Sequence, residues 1–174
     1  MKISRLGWTA YGLALFIIVA DQISKAMILS AMPGPPTPLL DGFRIAEVLP
    51  PVFNLTFVLN TGVSFGMFGG GEARWVLSAF SIIVAVALGI WALRAKGPLL
   101  ACAIGLVIGG AIGNVIDRIR FGGVVDFIDF SGTGVFPWIF NIADSGITIG
   151  VMLLILDSLI GERRSKVGDA REKS

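Results

Sequence analysis

The sequence predicts an all-α membrane protein: four transmembrane helices carrying a small extracytoplasmic β-sheet and a second extracytoplasmic loop. Three observations predict it. The chain is 55% hydrophobic and only 15% charged, whereas soluble domains carry about 25% charged residues, and its mean hydropathy is +0.84. Four runs reach the roughly 20 mostly apolar residues that a bilayer crossing needs. Between the first two lies a connection far longer than the usual 4–6 residues or so, and part of it alternates like a strand.

The first span covers about residues 6–29. Lys2 and Arg5 precede it as in a signal peptide, but the run is too long for a signal core and no small-residue cleavage site follows, so it reads as a retained anchor. In the next segment, residues 30–71, Phe53, Leu55, Phe57 and Leu59 alternate with Asn54, Thr56, Val58 and Asn60. That period of two marks a half-buried strand. Phe43 to Leu49 is its expected hairpin partner, with Pro50-Pro51 in the turn. The sheet should turn its Phe/Leu face to lipid or protein and its Asn face to a cavity. Asn60-Thr61-Gly62-Val63-Ser64-Phe65-Gly66 follows, punctuated by glycines that bring backbone close to a neighbour.

The second span covers about residues 75–93 and the third about 99–116. Gly105, Gly109 and Gly113 recur every fourth residue in the third, a smooth strip that permits close helix contact. The second outer loop, residues 119–137, contains Val124-Val125-Asp126-Phe127-Ile128-Asp129-Phe130, β-branched and aromatic and therefore extended. The fourth span covers about residues 138–160, and residues 161–174 read as a solvated, mobile tail. The length suits a single membrane-embedded domain over residues 1–174.

Lys and Arg set the orientation. Nine of the fourteen fall on the side of the two termini, and Lys25, Arg44, Arg74, Arg118 and Arg120 fall on the other. Both termini are thus expected in the cytoplasm. Trp8, Tyr11 and Trp91 lie near the inner interface and Trp75 and Trp138 near the outer one, as aromatic belts require. The chain has no His and one Cys. That excludes Ser-His-Asp catalysis, imidazole or Cys-cluster metal sites and an internal disulfide, so neither metal nor cofactor is expected. Leu99-Leu100-Ala101-Cys102 faintly resembles a lipidation box, but mid-chain it reads as an apolar stretch with Cys102 buried. A net charge of +2 gives no ground for a nucleic-acid partner.

The informative residues are acids set in apolar sequence. An ionised carboxylate at the bilayer centre costs about 2.5–3.5 kcal/mol or more, so each needs a reason. Asp21 and Lys25, four apart on the first helix, share a face as a structural pair. Asn114, Asp117 and Arg118 share a face at the outer end of the third helix, where Arg118 suits Asp117, a substrate carbonyl or a lipid phosphate. Asp126 and Asp144 both fall at the outer face, and Asp144 starts the fourth helix, where the dipole favours negative charge. In an extended run Asp126 and Asp129 point apart, which makes them poor partners. Asp157 lies toward the inner end. Asp117, Asp126, Asp129 and Asp144 remain as candidates for a pair that shares one proton and activates water. A proton-coupled transporter is the main rival, but it needs acids along a path through the bilayer and paired halves. A non-catalytic scaffold leaves the clustered Asp and Asn residues unexplained.

Five blocks, in order, resemble the bacterial lipoprotein signal peptidase (signal peptidase II) family. They are Asp21-Gln22-Ile23-Ser24-Lys25, Asn60-Thr61-Gly62-Val63-Ser64-Phe65, Gly113-Asn114-Val115-Ile116-Asp117-Arg118, Val124-Val125-Asp126-Phe127 and Phe140-Asn141-Ile142-Ala143-Asp144. The resemblance implies an aspartic endopeptidase of the bacterial inner membrane, with the second loop over its active site. Such an enzyme removes the signal peptide of prolipoproteins, on the N-terminal side of the S-diacylglyceryl cysteine. It implies that Asp126 and Asp144 are the catalytic pair and that Asn60, Asn114, Arg118 and Asn141 bind or orient substrate. Asp21, Lys25, Asp117 and Gly113 then support the site. The implied partners are diacylglyceryl-modified prolipoproteins, membrane lipid and globomycin-type inhibitors. Val63-Ser64 stands where the family usually has two small alanine-like residues, which bears on the pocket beside Asn60.

Overall fold

The computed structural model of the chain describes residues 4–62 and 72–172, with side chains as far as Gly161. Val63-Ser64, Phe65 and Gly66 of the glycine-punctuated stretch lie outside the described residues. Four helices run Arg5–Ser30 (α1), Ala73–Ala92 (α2), Pro98–Phe121 (α3) and Ile142–Glu172 (α4). Each is long and apolar enough to cross a membrane, α4 over Ile142–Gly161. The strands are Phe43–Leu49 (β1), Phe53–Asn60 (β2), Val124–Asp129 (β3) and Ile139–Phe140 (β4). They form one antiparallel sheet in the order β1-β2-β3-β4.

Local chemistry sets the helix ends. Ser4 accepts a hydrogen bond from the Gly7 amide at 2.9 Å and starts α1, the usual N-cap arrangement. Pro98 opens α3, where a missing N–H costs nothing. Gly122, at φ 79°, closes it by donating to the Arg118 carbonyl, a left-handed conformation suited to glycine. Thus α3 runs five residues past its expected end at residue 116. Hydropathy falls there, but Asn114 and Asp117 are buried within the protein. The fourth helix starts at Ile142 rather than 138, because Ile139–Phe140 pairs with β3.

α3 is the central helix and packs on α1, α2 and α4. Its glycine strip explains the close approach to α1. A Cβ on Gly105 would lie 2.6 Å from the Ala10 carbonyl oxygen, and one on Gly109 would lie 2.7 Å from that of Ala14. Such distances leave room only for hydrogen. Gly150 of α4 is equally tight, with its virtual Cβ 2.8 Å from the Ala103 carbonyl oxygen of α3. Ala10, Ala14, Ala85, Ala92, Ile104 and Ile108 fill the space between α1, α2 and α3.

The sheet sits on one end of this bundle. Its apolar face, Phe57, Leu59, Val125 and Phe127, packs on Ile28 with Met32, Phe121 and Ile142. The Phe/Leu face therefore meets protein. Phe127 belongs to this buried layer. Cys102 is half-buried on α3, less enclosed than expected.

The packing makes a prediction. Gly109→Ala should lower stability by about 1–3 kcal/mol, as overpacking does, because backbone meets the new methyl group. Gly12→Ala, where nothing lies within 4 Å, should leave stability equal or higher. Thermal unfolding of both variants in detergent checks this, and equal midpoints would count against the tight α1–α3 contact.

Candidate active site

The pairing of β2 with β3 joins the α1–α2 and α3–α4 connections. Asn60 lies opposite Val124 and Val58 opposite Asp126, so Asn60 is the diagonal neighbour of Asp126. Its Nδ2 donates to Asp126 Oδ2 at 3.1 Å. Its Oδ1 accepts from the Gly62 amide at 3.0 Å, at a backbone φ of 75°.

Asn141 connects the strand acid to the helix acid. It immediately precedes α4, and its Oδ1 accepts from the Asp144 amide at 2.8 Å. That is an N-cap bond to the third helical residue. Its Nδ2 donates to Asp126 Oδ1 at 2.6 Å, with longer contacts to the Val125 carbonyl and to Asn114 Oδ1. Asn114 Nδ2 in turn donates to Asp144 Oδ1 at 2.7 Å. Asp126, Asn141, Asn114 and Asp144 thus form one network from β3 to α3 and α4. Of the four carboxyl oxygens of the two acids, only Asp144 Oδ2 has no hydrogen-bond partner among the described residues.

Asp126 is 1% exposed. Burial, and after it the negative charge of Asp144, pushes its carboxyl from the ordinary 3.8 up to about 7. Donation by Asn60 and Asn141 and the field of Lys25 pull the other way and do not prevail.

Beneath the network lies a buried ionic cluster. Lys25 Nζ is 2.8 Å from Asp21 Oδ2 and 2.7 Å from Asp117 Oδ2, and it donates to Asn114 Oδ1 at 3.4 Å. Asp117 is therefore held by Lys25 rather than by Arg118. Asp21 Oδ1 accepts from the Ala143 amide at 3.0 Å, and Asp117 Oδ2 accepts from the Val125 amide at 3.0 Å. A Cβ on Gly113 would lie 2.8 Å from Asp21 Oδ2, so a glycine there leaves room for the cluster.

The Arg118 side chain is partly buried and forms no ion pair or hydrogen bond among the described residues. Its strongest acidic neighbours are Asp144, Asp117 and Asp126 in that order. Asp129 belongs to a separate set. Its carboxylate accepts from Thr56 Oγ1 at 2.6 Å and from the Ser131 hydroxyl and amide at 2.6 and 2.8 Å. Burial opposes its charge, but these donors outweigh burial and hold the carboxyl below the usual range. Its partners, Thr56 and Ser131, are not those of Asp126, which are Asn60 and Asn141. Asp157 lies at the other end of the bundle, beside Gly97 before α3.

A cavity opens on each side of the acid pair. One, of about 390 Å³, is lined by Asp41, Asn60, Thr61, Gly62, Asp126 and Trp138 among others. The second, of about 310 Å³, is lined by Phe136, Phe140, Asp144, Ser145, Thr148 and Ile149 and is mostly apolar. Its aromatic wall continues through Phe130, stacked between Phe140 and Phe53 with ring centroids 6.0 and 5.2 Å away. Sequence reasoning missed Asp41, whose Oδ1 accepts from the Leu59 amide at 2.7 Å, and Gln22, which touches the ionic cluster. Gln22 lay inside a block already singled out; nothing marked Asp41. Among the described residues no three His, Cys, Asp or Glu side chains group as metal ligands.

The comparisons with known proteins agree with one another. The family model Peptidase_A8, "Signal peptidase (SPase) II", matches residues 13–160. The lipoprotein signal peptidase of Caulobacter vibrioides is 50% identical over 167 residues, covering 93% of each chain. That of Methylobacterium radiotolerans is 40% identical over 157 residues, covering 88% of each. Two solved bacterial membrane enzyme structures, at 2.3 and 1.9 Å resolution, are each 35% identical. Their TM-scores are 0.74 and 0.76, over 91% of this chain and 91% and 96% of theirs.

The raised Asp126 carboxyl carries a stability prediction. The folded state holds this proton more tightly than the unfolded chain, so stability should fall as pH rises from 3.8 toward about 7. Asp126→Asn removes that dependence. Relative to the parent, the variant should gain unfolding temperature in detergent between pH 5 and pH 8. A gain that does not grow with pH would contradict the raised value.

Proposed function

Because the chain belongs to the signal peptidase II family and is a protease, we propose that it removes the signal peptide of bacterial prolipoproteins by activating water between Asp126 and Asp144. The cut falls on the N-terminal side of the S-diacylglyceryl cysteine. One observation carries the reading: two carboxyls joined through Asn141 and Asn114 each line a different cavity at one end of an apolar four-helix bundle.

The chemistry follows from the hydrogen bonds. Asp126 holds the shared proton, and Asp144 uses its unpartnered Oδ2 as general base. Asp144 takes a proton from water, and the resulting nucleophile attacks the scissile carbonyl carbon. The Asp126 proton stabilises the oxygen as it becomes negative. The tetrahedral intermediate then collapses as its C–N bond breaks. The leaving nitrogen, that of the lipidated cysteine, receives the proton that Asp144 had taken.

Asn141 and Asn114 hold the acids in register, and Asn60 and Arg118 orient the substrate backbone. Arg118 suits this because its donors remain available. The apolar cavity at Phe136 and Phe140 accepts an apolar part of the substrate at membrane depth. We place the site at the extracytoplasmic face of the inner membrane with both termini in the cytoplasm, on the Lys/Arg bias. Globomycin-type cyclic peptides should compete at the same site.

A cleavage assay in detergent with a diacylglyceryl-modified prolipoprotein tests the reading. Asp126→Asn and Asp144→Asn should each reduce cleavage to background while unfolding cooperatively like the parent. Asp129→Asn should keep activity within about tenfold, because its partners lie outside the network. Normal turnover by Asp144→Asn would end the two-acid mechanism. Equal cleavage of the unlipidated precursor would end the assignment of specificity.

A further inference from the structure

Each of the two acids follows a residue whose backbone amide is held by the buried cluster. Val125 precedes Asp126, and its N–H donates to Asp117; Ala143 precedes Asp144, and its N–H donates to Asp21. The distance between Asp21 and Asp117 therefore passes directly to the backbone beside each acid. Two side chains cross-link those carboxylates. Lys25 does so with its ammonium. Gln22 does so with its amide: Nε2 is 3.0 Å from Asp117 Oδ1 and 3.2 Å from Asp21 Oδ2, with the Gly113 carbonyl at 3.3 Å. Arg120 Nη1 donates to Gln22 Oε1 at 3.2 Å. That bond fixes which end of the amide faces the carboxylates, since a guanidinium only donates.

We propose that Gln22 is a positioning residue that, together with Lys25, sets the separation of the Asp126 and Asp144 carboxyls. The proposal rests on their being the catalytic pair. Lys25 carries charge balance as well as distance. Its removal strands two buried carboxylates and endangers the fold. Gln22 is neutral and carries distance alone, so it isolates the effect. Misplacing reacting groups by about 1 Å costs up to roughly 100-fold in rate, and loosening one of two cross-links should cost less.

The test uses the full chain in detergent with the lipidated precursor. Gln22→Met keeps the side chain's length without its hydrogen bonds, and should lower kcat about tenfold with KM within about twofold. Gln22→Glu keeps the acceptor for Arg120 but sets a third carboxylate against Asp21 and Asp117, and should lower kcat further. Arg120→Ala frees the amide without entering the cluster, and should lower kcat about threefold; it decides the matter if the Gln22 variants do not fold. Gln22→Met with parental kcat, or a rise in KM with kcat unchanged, would overturn the positioning role. Asp126→Asn and Asp144→Asn run in parallel. If they are inactive while Gln22→Met matches the parent, only the positioning role fails. If either remains active, the catalytic pair itself fails.

Discussion

Everything at the working end of this protein depends on one buried ammonium. Lys25 is 2% exposed, between two carboxylates that are fully enclosed. Removing such charges from water costs several kcal/mol per ion, recovered only when geometry is good and every remaining lone pair finds a donor. Here the conditions are met by backbone. The amides of Val125 and Ala143 complete the two carboxylates, so the requirement to satisfy buried charge becomes a requirement that β3 and α4 begin where they do. The glycine at position 113 is part of the same constraint, since any side chain there would meet Asp21.

The sheet solves a different problem. The acids come from two segments of different character, a strand in the α3–α4 connection and the first turn of a membrane helix. Neither segment fixes the other locally. The β2–β3 ladder ties the second loop to the first, and the two-residue strand β4 ties the start of α4 to the same sheet. Asn141, placed where β4 ends and α4 begins, can then cap the helix and bond to the strand acid at once. One residue does both only because the chain changes from sheet to helix at that point.

Much of this was legible in the sequence, and the physical reason differs by element. The hairpin of β1 and β2 was readable because alternation and a Pro-Pro turn are local signals, and the strands end where the pattern ends. The helices were readable from hydropathy, but their ends were not. α3 continues through Asn114, Asp117 and Arg118 because the first two are satisfied by partners on other elements, which hydropathy does not see. β4 was hidden because two apolar residues before an apolar helix look like more helix. The sharing of Lys25 between Asp21 and Asp117 was invisible, since the i,i+4 rule names only the near partner. The choice of Asp126 with Asp144 over Asp117 came from the family's motifs; in the structure Lys25 lies against Asp117.

The two cavities flanking the acids differ in kind, and that difference governs supply. One is bordered by carboxylates and amides, the other by phenyl rings and the Asp144, Ser145, Thr148 and Ile149 face of α4. Hydrolysis at a bilayer must unite reactants with opposite solubilities, and a single entrance would make them compete for it. Here Asp126 borders the polar cavity and Asp144 the apolar one. With these acids as the proposed catalytic pair, water would have a polar approach and an apolar chain a greasy one, and neither would be expelled to admit the other. An inhibitor that spans both cavities would block both approaches, whereas one confined to either would leave the other reactant its route.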